Sequence, residues 1–143
     1  MEVEEERIVT FPDGLLGFRD FKRYFFHEPS QGSVLVWMQS LDLPALAFVV
    51  IDPRIVRSDY QVKVTAAQLE PIGLSDPSRG RVWVTLTIPE DPLKMTANLL
   101  GPIIVNPDAR LAAQIVVNDE ALTTKYPVLE SLRAQGKLAG GRG

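Results

Sequence analysis

From Arg81 to Ile88 the chain reads Arg-Val-Trp-Val-Thr-Leu-Thr-Ile, with an aliphatic residue at every second position. A period of two is the signature of an extended strand whose faces meet different surroundings. Val82, Val84, Leu86 and Ile88 form the regular face, which is expected to point inward. Trp83 then falls on the other side with Arg81, Thr85 and Thr87, where it needs cover of its own. Similar short runs lie at 7–11, 22–28, 34–41, 43–51, 59–64, 102–106 and 111–117, most of them bounded by Pro, Gly, Asp or Asn. Seven to nine short strands separated by turns predict an all-β, or β-rich, fold: a small antiparallel barrel-like or sandwich domain with one short helix. Thr65 followed by Gln68 has the form of a capping box and starts that helix, which Pro71 and Gly73 stop. The run 43–51 is apolar at nearly every position, as expected of a strand covered on both faces. Residues 128–135 could add a helical turn or two.

The stretch 88–107 is the part of the chain that the other runs surround. It leaves a strand, breaks at Pro89 and Pro92, presents Met95, Thr96, Ala97 and Asn98, and re-enters apolar surroundings from Leu99 to Val105. Each proline fixes its own φ and restricts the residue before it, so such a connection is stiff. Stiff loops display side chains at low entropic cost, which makes Met95, Thr96 and Asn98 candidates for recognition. The alternative is a structural crossover in which Thr96 and Asn98 satisfy buried backbone groups.

Chemistry is conspicuous by what is missing. The 143 residues contain no cysteine and a single histidine, His27, which leaves no thiolate nucleophile, no disulfide and no ordinary zinc ligand set. A general base needs an orienting partner, and none is identifiable for His27. No nucleophile elbow, dinucleotide fingerprint, phosphate loop or EF-hand is present, so the chain is read as not an enzyme and as needing no cofactor. A formal net charge of −3 lacks the basic footprint of a nucleic-acid binder, and no direct nucleic-acid contact is expected. The acidic start through Glu2, Glu4, Glu5 and Glu6 is unlike an export signal, and the longest apolar runs fall far short of the ~20 residues that span a bilayer. A soluble, cytoplasmic protein without membrane contact is expected. The domain is expected to cover 1–135, with 136–143 a flexible glycine-containing basic tail.

Several segments together resemble the flagellar assembly factor FliW family: Phe11-Pro-Asp-Gly-Leu-Leu-Gly-Phe18, Met38-Gln-Ser40, Leu46-Ala-Phe48 with Asp52-Pro53, Met95-Thr-Ala-Asn-Leu-Leu-Gly-Pro102 with Ile104-Val-Asn106, and Gln114-Ile115. They follow the family's order over about residues 7–126, whereas 124–127 and the C-terminus depart from it. The resemblance implies a small antiparallel barrel-like fold without catalysis. It also implies two protein partners, flagellin and the RNA-binding translational repressor CsrA; FliW freed from exported flagellin captures CsrA and relieves repression of flagellin translation. On the same resemblance, Met38 and Gln39, and Met95, Thr96, Asn98, Pro102 and Asn106 within 95–106, are the expected partner-binding residues. The competing expectation is a small-molecule-binding β-barrel, suggested by the doubly apolar run 43–51 and the aromatic content.

Overall fold

In the computed structural model, residues 4–136 are described. The start of the acidic run at Glu2 and the tail from 137 onward lie outside the described residues. Four strands, β1 (Ile8–Thr10), β2 (Arg23–His27), β3 (Val36–Ser40) and β4 (Ala47–Ile51), form an antiparallel meander. Two four-residue helices follow, α1 (Pro53–Val56) and α2 (Ala66–Leu69), and then the long strand β5 (Arg81–Thr87). The remaining elements are β6 (Thr96–Ala97), β7 (Ile103–Asn106), β8 (Leu111–Gln114), β9 (Tyr126–Pro127) and α3 (Val128–Ala134).

β4 pairs with β5, β5 with β7, β7 with β8, and β8 returns to β1, so seven strands close a barrel while β6 and β9 extend the sheet beside β5. Up-and-down alternation around an odd number of strands forces one parallel neighbour pair, and it falls at β1–β8 through Thr10 and Leu111. The barrel-like fold expected is therefore present, antiparallel at six of its seven strand pairs and parallel at this one. At that seam Thr10 N–H donates to the Arg110 carbonyl at 3.0 Å, and Arg110 takes a left-handed φ of 56°.

The barrel interior is filled by side chains from all seven strands or their ends, among them Phe11, Tyr24, Met38, Val50, Trp83 and Ile103. Small barrels fill their interiors in this way. The outer wall is apolar too. Ile51, Tyr60, Val84, Ala97, Leu99 and Val128 make a second core beneath α1, β9 and α3, and Leu69, Ile72, Ile104 and Ile115 make a third beneath α2. This arrangement inverts the expected faces of β5. The regular aliphatic face looks outward into the second and third cores, whereas Trp83, 8% exposed, enters the barrel and stacks on Phe26 at 5.6 Å.

Other local readings differ in instructive ways. β4 starts at Ala47, because 43–46 forms a turn in which Leu46 N–H donates to the Leu43 carbonyl. Its first residues are half-buried, not covered on both faces. The run 59–64 begins in a turn at Asp59 and forms no ladder among the described residues; Tyr60, Val62 and Val64 still pack inward, so alternation survives where strand pairing does not. The capping box at α2 forms as expected: Thr65 N–H donates to Gln68 Oε1 at 2.8 Å, and Gln68 N–H to Thr65 Oγ1 at 3.1 Å. α1 joins the helix expected at α2, and the helical turns anticipated over 128–135 form. Asp52 caps α1 by accepting from Arg54 N–H, with Pro53 at the first helical position, and 128–134 forms α3.

Candidate partner-binding end of the barrel

One end of the barrel is closed by the chain between β1 and β2. Pro12 and Asp13 turn into Gly14, whose φ is +67° and whose position is crowded; a Cβ there would lie 2.5 Å from the Arg19 Cα. Only glycine accepts both conditions. The chain then forms a tight loop in which Leu15 and Phe18 bridge, with Phe18 N–H donating to the Leu15 carbonyl at 2.9 Å. Leu15 is drawn into the interior core, whereas Leu16 and Phe18 stay 42% and 37% exposed. Phe18 packs edge-on against Phe48 at 5.6 Å, which ties this plug to β4.

The second component is a loop pushed out between β6 and β7. Both strands pair along the edge of β5 away from β4, Ala97 opposite Leu86 and Ile103 opposite Trp83. Six steps on one side answer three on the other, so three residues must leave the ladder. Asn98 manages the departure: its N–H still donates to the Thr85 carbonyl at 3.0 Å, and its Oδ1 accepts from Leu100 N–H at 3.0 Å. Leu99 is fully buried, and its carbonyl accepts from the Tyr60 hydroxyl at 2.8 Å. Burial pushes the Tyr60 pKa up to about 12. On the far side, Ile115 N–H donates to the Pro102 carbonyl and Val117 N–H to the Leu100 carbonyl, so the extruded loop is held against the end of β8.

Gln114, the last residue of β8, joins the two parts. Its Oε1 accepts from Leu16 N–H at 3.1 Å and its Nε2 donates to the Gly101 carbonyl at 3.1 Å. Gly101 leaves room for this; a Cβ there would stand 2.9 Å from Asn98 Nδ2 and 3.0 Å from Gln114 Nε2. Val116, two residues on, is 60% exposed. The resulting surface carries Leu16, Phe18 and Val116 on a scaffold fixed by hydrogen bonds. At the same end Arg23 grips Asp42 through Nε at 3.0 Å and Nη2 at 2.6 Å, and the hydrogen bond from that guanidinium holds the Asp42 carboxyl below its ordinary pKa. Large exposed apolar side chains on rigid backbone are what protein recognition uses.

The expected partner-binding residues do not gather at one place. Met38 is fully buried inside the barrel. Gln39, on the outer wall, spends its amide on the carbonyls of Ser40, Pro44 and Leu46. Met95 packs into the second core, and Thr96 sits in β6 between Thr87 and Pro127. Asn98 and the buried Pro102 belong to the extruded loop. Asn106 lies at the opposite end of the barrel, 7% exposed; its Nδ2 donates to the Ile72 carbonyl at 2.8 Å while its Oδ1 holds the following turn. Leu16, Phe18, Gln114 and Val116 were not among the expected contacts. A single polar residue in the middle of the apolar run 111–117 was the available signal for Gln114.

A family model described as "FliW protein" matches residues 1–129. The chain is 41% identical over 142 residues to the flagellar assembly factor FliW of Natranaerobius thermophilus, covering 99% of this chain and 92% of that one. It is also 41% identical over 140 residues to the flagellar assembly factor FliW of Geobacter sulfurreducens, covering 98% and 87%. A crystal structure of the flagellar assembly factor FliW superposes with a TM-score of 0.82 at 28% identity, over 90% of this chain and 89% of that one.

Proposed function

The chain belongs to the FliW family, and from that membership we propose that it is a non-enzymatic flagellar assembly factor that binds flagellin and the repressor CsrA in the cytoplasm. Binding the two must be mutually unfavourable for the flagellin level to be read out as a translation rate. Free flagellin would occupy the protein; once flagellin is exported, the released protein would capture CsrA and relieve repression. We place a partner contact at the plugged end of the barrel, on Leu16, Phe18 and Val116. The observation that carries this placement is Gln114, which lies 98 residues from Leu16 in sequence and ties the plug at Leu16 to the extruded loop at Gly101.

The test is size-exclusion chromatography of the protein with flagellin and with CsrA from the same organism at ~10 μM, a concentration that detects micromolar binding. Co-elution with each partner separately, and displacement of one by the other, is the expected result. Leu16→Glu and Val116→Glu should keep the parent melting temperature and weaken binding of at least one partner by roughly tenfold or more, because each sets a charge in an apolar contact. Parent-like affinity in both variants would remove the plugged end from the contact surface. Failure of the parent protein to bind either partner would remove the functional reading itself. The small-molecule-barrel reading is disfavoured by an interior occupied by Phe11, Tyr24, Met38 and Trp83.

A further inference from the structure

The opposite end of the barrel, where β1, β3 and β5 begin and β2 ends, is open. A cavity of about 380 Å³ enters there, floored by Phe26, Trp83 and Val36 and rimmed by Arg7 and Arg81. The floor is flat and aromatic, since the Phe26 and Trp83 rings lie within 20° of parallel. Arg81 rests its guanidinium 4.6 Å from the centre of the Trp83 ring. Stacking of that kind orients the group and leaves its in-plane N–H donors free. Arg7 uses Nη2 to donate to the Phe26 carbonyl at 3.1 Å, which anchors a second guanidinium at the same rim with donors to spare. Among the described residues neither arginine forms an ion pair. Glu28, the one carboxylate lining the cavity among the described residues, has an oxygen committed to its own turn, accepting from Gly32 N–H at 3.0 Å.

We propose that this mouth binds a carboxylate carried on an aromatic or aliphatic body, its apolar part on the Phe26–Trp83 floor and its oxygens between Arg7 and Arg81. Planar carboxylates match the forked donors of arginine, whereas the floor would offer nothing to a compact inorganic anion. Two sources have this chemistry: a free small acid, and the C-terminal residue of a peptide. Glu28 opposes either one by charge, so the site is tuned to bind weakly and reversibly.

Trp37→Phe leaves Trp83 as the only indole in the chain, and its fluorescence reports on the floor directly. In that background, 3-phenylpropionate and N-acetyl-glycyl-phenylalanine should each give a saturable change that their amides do not. Tighter binding of the peptide identifies a chain terminus as the source, and tighter binding of the free acid a metabolite-like ligand. Arg7→Met, which leaves the Trp83 stack intact, should weaken binding about tenfold, as should Arg81→Met, and Glu28→Gln should tighten it severalfold. Equal response to acids and amides, no saturation by ~10 mM, or affinity unchanged in Arg7→Met would overturn the proposal.

Discussion

Replacing Gln114 by Met keeps the length and apolar stem of the side chain and removes both of its hydrogen bonds. The Leu16 N–H lies on an exposed residue and can turn to water, so its loss contributes about 0.5 kcal/mol. Gly101 is buried, and without the Gln114 amide its carbonyl loses a side-chain donor at 3.1 Å, which adds about 1–2 kcal/mol. The total is about 2 kcal/mol, equivalent to roughly 8 °C in Tm for a domain of this size. Thermal melts and urea titrations measure the total, and hydrogen exchange at Leu16 locates it. Gln114→Glu should do worse than Met, because it retains the acceptor for Leu16 but places a carboxylate oxygen against the Gly101 carbonyl. If Gln114→Met melted within 1 °C of the parent and Leu16 exchanged no faster, Gln114 would not be what joins plug to loop, and the reasoning behind the candidate surface would fall with it.

Gly14→Ala should lose at least ~3 kcal/mol, because a Cβ at 2.5 Å from Arg19 backbone atoms adds overlap to an unfavourable φ; a loss below ~1 kcal/mol in urea unfolding would mean that the plug relaxes freely. Tyr24→Phe should raise stability by about 1 kcal/mol in the same assay, since the buried Tyr24 hydroxyl has no hydrogen-bond partner among the described residues; a clear loss would reveal a partner for it. Burial lifts the Tyr24 and Tyr60 pKa values to about 12, against about 10 in the unfolded chain. Their contribution is therefore complete below pH ~10 and is lost as pH rises through about 12, so the phenolate absorbance of both should appear together with alkaline unfolding and not before it. Asp42 has the opposite sign: its folded pKa is depressed by Arg23, so the stability difference between Asp42→Asn and the parent should exist at neutral pH and disappear as pH falls below about 4.

Elements that depend on neighbours in sequence were legible. The α2 capping box needs residues three apart, the β7–β8 hairpin a single turn, and β5 its own alternation. The run 59–64 shows the limit. Its alternation correctly turns Tyr60, Val62 and Val64 inward, but a ladder needs an edge, and the edges of β5 are already taken by β4, β6 and β7. The inverted faces of β5 have a related cause. Alternation distinguishes one face from the other, not inside from outside, and here the outer wall is the more aliphatic because α1, α2 and α3 cover it. α1 was marked by Asp52 and Pro53, an N-cap with proline at the first helical position, which read equally well as the end of a strand.

The same distinction explains why the expected contacts scattered. Met38, Asn98 and Asn106 all lie in segments that carry the family resemblance, yet the fold uses them for an interior packing position, a loop departure and a turn at the far end. Their requirements are met inside the chain: Asn98 satisfies Leu100, and Asn106 satisfies Ile72, Asp108 and Ala109. A residue already committed in this way has little left to offer a partner, whereas Leu16 and Val116 have no such commitment and stand in water on rigid backbone. Substitutions should divide along that line. Asn106→Ala would leave the Ile72 carbonyl without its buried donor and should lower Tm while affinity per folded molecule is retained; Val116→Glu should do the reverse. Weakened binding in Asn106→Ala at full folding would mean that the far end of the barrel takes part in recognition, and the division between internal and external roles would have to be redrawn.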